Sequence, residues 1–125
     1  MEKKAAVLVV EDEWPIAEMI AHILRRLGYE VLGEAPTVRV AMDMIDGGPD
    51  LALLDIQLGR ETSYPVADEL ARRGIPFAFV TSYSRQDLPD RFARCLLLSK
   101  PFGERALQGL LNELQQARLT GSAGA

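Results

Sequence analysis

Four apolar runs, at residues 5–10, 51–54, 76–80 and 96–98, each stop at a polar or charged residue, and helical stripes lie between them. A strand covered on both faces, as in a parallel sheet, reads as such an unbroken run. Residues 29–35 add a shorter second strand. The first stripe, Ile16, Met19, Ile20, Ile23, Leu24 and Leu27, begins after Pro15 and stops at Gly28, the punctuation expected of a helix. A second, Val38, Ala41, Met44 and Ile45, ends at Gly47-Gly48-Pro49; a third helix is predicted over 66–73, and a last one carries Ala106, Leu107, Leu110, Leu111 and Leu114. Residues 87–93 contain Pro89 and few apolar positions, so one or two helical turns are predicted there. Five strands alternating with five helices predict an α/β fold with a doubly wound parallel sheet, whose ligands bind beyond the carboxyl ends of the strands.

The 125-residue chain suits one domain. A domain at 1–119 and a disordered tail at 120–125 are expected. Its net charge of -4 offers no electrostatic grip on a nucleic acid backbone. The apolar stretch after Met1-Glu2-Lys3-Lys4 is too short for a signal-peptide core or a membrane span. The one cysteine, Cys95, cannot form an internal disulfide and lies in an apolar run, which favours a buried thiol and a cytoplasmic location.

The residues just past the strand ends carry the chemistry. Glu11 and Asp12 follow the first strand, Asp55 the third, Thr81 the fourth and Lys100 the fifth. Carboxylates gathered this closely repel one another unless a hard cation sits among them, and oxygen donors with room for water suit Mg²⁺. A carboxylate is also a nucleophile toward phosphorus when the cation and nearby donors neutralise the transferred oxygens; Lys100 and the Thr81 hydroxyl are the candidate donors. Pro101 stiffens the backbone beside the lysine, and a cis bond there is compatible with the sequence.

Taken in order, Val9-Val10-Glu11-Asp12-Glu13, Leu53-Leu54-Asp55-Ile56, Val80-Thr81-Ser82 and Ser99-Lys100-Pro101-Phe102 resemble the four signature blocks of response-regulator receiver domains, over residues 5 to about 118. The resemblance implies the flavodoxin-like (βα)5 receiver fold with strand order 2-1-3-4-5. It implies Asp55 as phosphoacceptor and Mg²⁺ held by Asp12, Asp55 and the backbone carbonyl of Gln57, with Glu11 helping through water. Pro76-Phe77-Ala78-Phe79-Val80-Thr81-Ser82-Tyr83 is further similar to the FAT GUY single-domain receivers, which implies a histidine kinase of the HWE type as donor. Val80 and Ser82 replace that motif's Ala and Gly, and Ser82 gives the loop less backbone freedom. Where most receivers carry an aromatic residue three positions before the lysine, this chain has Leu97, which makes Tyr83 the candidate switch residue.

The chain is thus expected to be a signalling phosphoacceptor rather than an enzyme, with at most self-phosphorylation from small donors and autodephosphorylation. It is expected to act as a monomer or weak dimer, through an unidentified downstream protein bound near the fourth and fifth helices or as a phosphate sink. A degenerate receiver that signals without phosphorylation is the first alternative, opposed by the intact Asp12, Asp55, Thr81 and Lys100. A haloacid-dehalogenase-type phosphatase is the second, but it needs an acid two residues after the nucleophile, where this chain has Gln57. Nucleotide binding lacks a glycine-rich phosphate loop after the first strand. Trp14 is expected to pack at the start of the first helix and Tyr64 to pack as well. His22 is expected to be partly exposed and without function, and Arg85, Asp87, Asp90, Arg91 and Arg94 to form a solvated face.

Overall fold

The computed structural model describes residues 5–121. Its elements run β1 (Ala6–Val10), α1 (Trp14–Arg26), β2 (Glu30–Ala35), α2 (Val38–Ile45), β3 (Leu51–Leu54), β4 (Gln57–Leu58), β5 (Glu61–Thr62), α3 (Tyr64–Arg72), β6 (Phe77–Thr81), β7 (Leu96–Ser99) and α4 (Glu104–Thr120). The main sheet has the order β2-β1-β3-β6-β7, and each of its neighbouring pairs is parallel. With β6 and β7 as the fourth and fifth sheet strands, this is the 2-1-3-4-5 order of the flavodoxin-like fold.

Alternation along each strand divides the core between two faces. Leu8 and Val10, Ala52 and Leu54, and Phe77 and Phe79 point to a cluster shared with α2, α3 and the β6–β7 crossover. Val7 and Val9, Leu51 and Leu53, and Ala78 and Val80 point to a cluster shared with α1 and α4. Burial on both faces explains why these strands show no polar alternation in the sequence.

Pro15 sits in the first turn of α1, where a missing N–H costs nothing, and Gly28 takes φ 92° just past its end, a conformation open to glycine. Thr37 caps α2 by accepting the Val40 N–H at 3.2 Å. β1 and β2 lose register between Val7 and Leu8, whose partners are Val31 and Gly33, so Leu32 is an extra residue in β2.

The one or two helical turns expected over 87–93 are two 3₁₀ turns, Arg85–Asp87 and Asp90–Phe92, and they stand in the place of a fourth helix. Leu88, before Pro89, is extended at φ -78°, ψ 145°, as the proline ring requires of its predecessor. Leu88 and Phe92 are buried and anchor the segment. Arg85, Asp87, Asp90, Arg91 and Arg94 are exposed, as expected of a solvated face, and three of them also make specific contacts. Arg85 donates to the carbonyls of Ala93 and Cys95 at 2.9 and 2.7 Å, the Ser84 N–H and hydroxyl both donate to Asp87 Oδ2 at 2.9 Å, and Arg91 pairs with Asp68 of α3 at 2.9 Å while lying over the Phe92 ring.

The β4–β5 hairpin was not expected. Its strands are two residues each, too short to show alternation, and only Gly59, first in the two-residue turn at φ 62°, signals it. Cys95 is buried as expected, and burial pushes its thiol pKa up. Tyr64 packs as expected, stacked on Phe92 with centroids 5.5 Å apart, and His22 is exposed. Trp14 does not pack: it is 71% exposed, because it occupies the first position of α1 rather than its buried stripe. Of the tail expected at 120–125, Thr120 still belongs to α4 and Gly121 caps it; residues 122–125 lie outside the described part.

Candidate phosphoryl and metal site

The parallel ladder continues one residue beyond several strands, and this places the site. The Glu11 N–H donates to the Ala35 carbonyl at 3.0 Å, Asp55 N–H to Val10 at 2.8 Å, and Lys100 N–H to Thr81 at 2.9 Å. Side chains that were far apart in sequence are thereby delivered to one edge of the sheet.

Lys100 Nζ lies between two carboxylates, donating to Glu11 Oε1 at 2.7 Å and to Asp55 Oδ2 at 2.9 Å. The other oxygen of Asp55 accepts the Ile56 N–H at 2.7 Å, and Glu11 Oε2 accepts the Glu13 N–H at 3.2 Å. Asp12 is exposed, and its Oδ2 accepts the Gly59 N–H at 3.0 Å. Glu11, Asp12 and Asp55 each offer an oxygen within 4.8 Å of the others', a donor set suited to a hard divalent cation.

Burial governs the electrostatics. Glu11 is 3% exposed and Asp55 9%. Burial, reinforced by the Asp55 charge, pushes Glu11 up to about 7 despite its bond from Lys100. Burial works against the charge of Lys100, but its bonds to Glu11 and Asp55 outweigh it and hold the ammonium above the ordinary lysine value. One lysine set against several carboxylates leaves an excess of negative charge, which a cation would relieve.

Thr81 is fully buried, and its Oγ1 accepts the Tyr83 N–H at 3.2 Å, leaving the hydroxyl hydrogen to donate. The Lys100–Pro101 bond is cis. A cavity of ≈ 570 Å³ opens over Asp12, Asp55, Thr81 and Lys100, with Ile16, Met19 and Phe102 as an apolar flank.

All the residues singled out from the sequence, Glu11, Asp12, Asp55, Gln57, Thr81, Tyr83 and Lys100, therefore lie at this edge. Sequence reasoning credited Gln57 with its backbone carbonyl only. Its side chain also takes part: Nε2 donates to the carbonyls of Gly59 at 2.7 Å and Glu61 at 3.3 Å, and Oε1 accepts the Tyr83 hydroxyl at 2.9 Å. Glu61 was missed altogether; its carboxylate accepts the Val38 N–H at 3.0 Å and ties the hairpin to α2.

Known proteins share this arrangement of elements. Among curated relatives, the transcriptional regulatory protein PdtaR of Mycobacterium tuberculosis is 36% identical over 87 residues, 68% of this chain and 42% of its own length. The sensory transduction protein LytT of Bacillus subtilis is 33% identical over 115 residues, 88% of this chain and 48% of its own. The chain thus spans about half the length of these relatives. Among solved structures, SdrG from Sphingomonas melonis Fr1 matches at 39% identity with a TM-score of 0.80, over 92% of this chain and 99% of that one. TrrA from Thermotoga maritima, solved in complex with Mg²⁺-BeF, matches at 28% identity with a TM-score of 0.78, over 89% and 99%. Residues 7–112 fit the model of the response regulator receiver domain, and with the sheet order and the acidic strand ends already in place, the chain belongs to that family.

Proposed function

We propose that this receiver domain is a single-domain response regulator of a two-component phosphorelay, in which Asp55 accepts a phosphoryl group from a histidine kinase. The observation that carries the reading is the placement of Lys100 Nζ within hydrogen-bonding distance of both Glu11 and Asp55, with Asp12 converging on the same point.

In the transfer, an Asp55 carboxylate oxygen attacks phosphorus, the P–N bond to the kinase histidine breaks, and an acyl phosphate forms. The Ile56 N–H on Oδ1 fixes the orientation of the carboxylate. Lys100 exchanges its bond to the carboxylate for one to the transferred oxygens, and the Thr81 hydroxyl donates a second. Asp12, Asp55 and the Gln57 backbone carbonyl would hold Mg²⁺, with Glu11 acting through water; when bound, the cation neutralises charge gathering on the phosphoryl oxygens. That TrrA was solved in complex with Mg²⁺-BeF supports a divalent cation at this site.

The likeness to SdrG, over 92% of this chain and 99% of that one, supports the receiver reading. The phosphorylated form then acts in the cytoplasm on a separate protein, through the β6–β7 crossover and α4, or drains phosphoryl groups from its kinase. A kinase of the HWE type is the proposed donor.

Intact mass after incubation with acetyl phosphate, with and without Mg²⁺, tests the reading. A Mg²⁺-dependent adduct is expected on the wild type and none on Asp55→Asn. Failure of acetyl phosphate, beryllofluoride and phosphorylated kinases alike to load Asp55 would make this a receiver that signals without phosphorylation.

A further inference from the structure

We propose that Glu61 is a positioning residue for the cation site: by anchoring the β4–β5 hairpin to the N-terminus of α2, it sets how tightly Mg²⁺ is held at Asp12, Asp55 and the Gln57 carbonyl. The inference rests on the cation reading above and assigns a further residue to that same site.

The hairpin brings two backbone groups to the cavity that contains Asp55, which both Gln57 and Gly59 line. It begins at Gln57, whose carbonyl is one of the expected ligands. Its turn places the Gly59 N–H on Asp12 Oδ2 at 3.0 Å, which leaves Oδ1 for a cation.

Strands of two residues each do not hold a hairpin in shape unaided. Within it, Gln57 Nε2 donates to the carbonyls of Gly59 at 2.7 Å and Glu61 at 3.3 Å, so the hairpin moves as one unit. Tyr83, itself in a loop, touches one end of this unit. The tie to a regular element is Glu61, whose Oε2 accepts the Val38 N–H at 3.0 Å.

The anchor point is firm. Val38 is the first residue of α2, and the buried Ala41 and Ile45 hold that helix on the sheet. The unpaired N–H groups of a helix start carry partial positive charge, which favours a carboxylate there. Asp12, Gly59, Glu61 and Val38 thus form a line of contacts from a metal ligand to a packed helix. A cation binds more tightly when its ligands are fixed before it arrives. The coupling is reciprocal: if the Glu61 tether tightens Mg²⁺, then Mg²⁺ tightens the tether by the same factor.

The test titrates Mg²⁺ alone into the full chain and follows the amide chemical shifts of Asp12, Asp55 and Gln57, in the wild type and in Glu61→Ala, Glu61→Gln and Glu61→Asp. Gln keeps the reach and an acceptor oxygen but loses the charge; Asp keeps the charge but is one methylene shorter. The Kd for Mg²⁺ should rise by about threefold to tenfold in Glu61→Ala and Glu61→Asp, as expected for loss of one hydrogen bond, and by less than about twofold in Glu61→Gln. Saturating Mg²⁺ should slow solvent exchange of the Val38 amide in the wild type by that same factor and leave it unchanged in Glu61→Ala.

A near-native Kd in Glu61→Asp, with Glu61→Gln as weak as Glu61→Ala, would make Glu61 only a charge near the cation. A lowered urea midpoint with an unchanged Kd would make its bond only a stabilising contact. Either result overturns the proposal while the cation reading stands. A wild type whose amides show no saturable response to Mg²⁺ would instead remove the cation reading, and the role of Glu61 with it.

Discussion

The two faces of the sheet solve the same packing problem with different side chains. Beneath α1 and α4 the core is mainly aliphatic, built from Val7, Val9, Ile20, Leu24, Leu107, Leu111 and Leu114, with Tyr29 at its margin. On the other face Phe77, Phe79 and Phe92 meet edge to face, and Tyr64 adds an edge contact to Phe79 and a stack on Phe92. The difference follows from what covers each face. Two regular helices, α1 and α4, fill the space on one face with aliphatic side chains, whereas the other face is covered by α2, α3 and a crossover of two short 3₁₀ turns that presents only Leu88 and Phe92 as buried residues. Large rings with defined edge-to-face geometry compensate for the missing helix.

The most severe way to break that comparison is Phe79→Ala. Phe79 is fully buried and touches three other rings, so its removal should cost about 4 kcal/mol in urea unfolding. Leu111→Ala, equally buried on the aliphatic face, should cost about 3 kcal/mol; a larger loss there than at Phe79 would show that the rings are not the more critical filling. Arg85→Ala tests how the crossover is held. Without its two carbonyl contacts the segment should open locally, with global stability falling by about 1 kcal/mol and amide exchange rising in the crossover but not in β1 or β3.

The smallest effect concerns the outer rim of α3. Bonds from Arg72 and Arg73 hold Glu69 well below its ordinary 4.5, at about 2, and Arg73 also reaches Asp46 after α2. A depressed folded pKa means that the pairing is fully present above the unfolded value and is lost as pH falls from 4.5 toward 2. Glu69→Gln should flatten the acid limb of the stability curve over that window. An unchanged limb would mean that these exposed bonds do not contribute measurably.

Much of this architecture was legible because β1, β3 and β6 are buried on both faces, which leaves no ambiguity in the apolar runs. Glu11, Asp12, Asp55, Thr81 and Lys100 could be found because a doubly wound sheet brings its strand ends together, whatever their sequence separation. Gln57 and Glu61 could not be weighed in that way. Their roles depend on a hairpin too short for periodicity, and on which direction an amide faces. Trp14 misled for a related reason: its neighbourhood predicts a helix start, but the exposure of a first-turn residue depends on where that turn lies relative to the sheet.

Cys95 gives the aromatic face an experimental consequence. The chain's one thiol is buried where the crossover meets β7, its own carbonyl held by Arg85; burial raises its pKa and screens the sulfur from reagents. Alkylation by a small reagent therefore waits for the segment to lift away from the rings. Its rate counts those departures with no label introduced into the protein, and a bound partner that clamps the crossover would be seen as protection of this one sulfur.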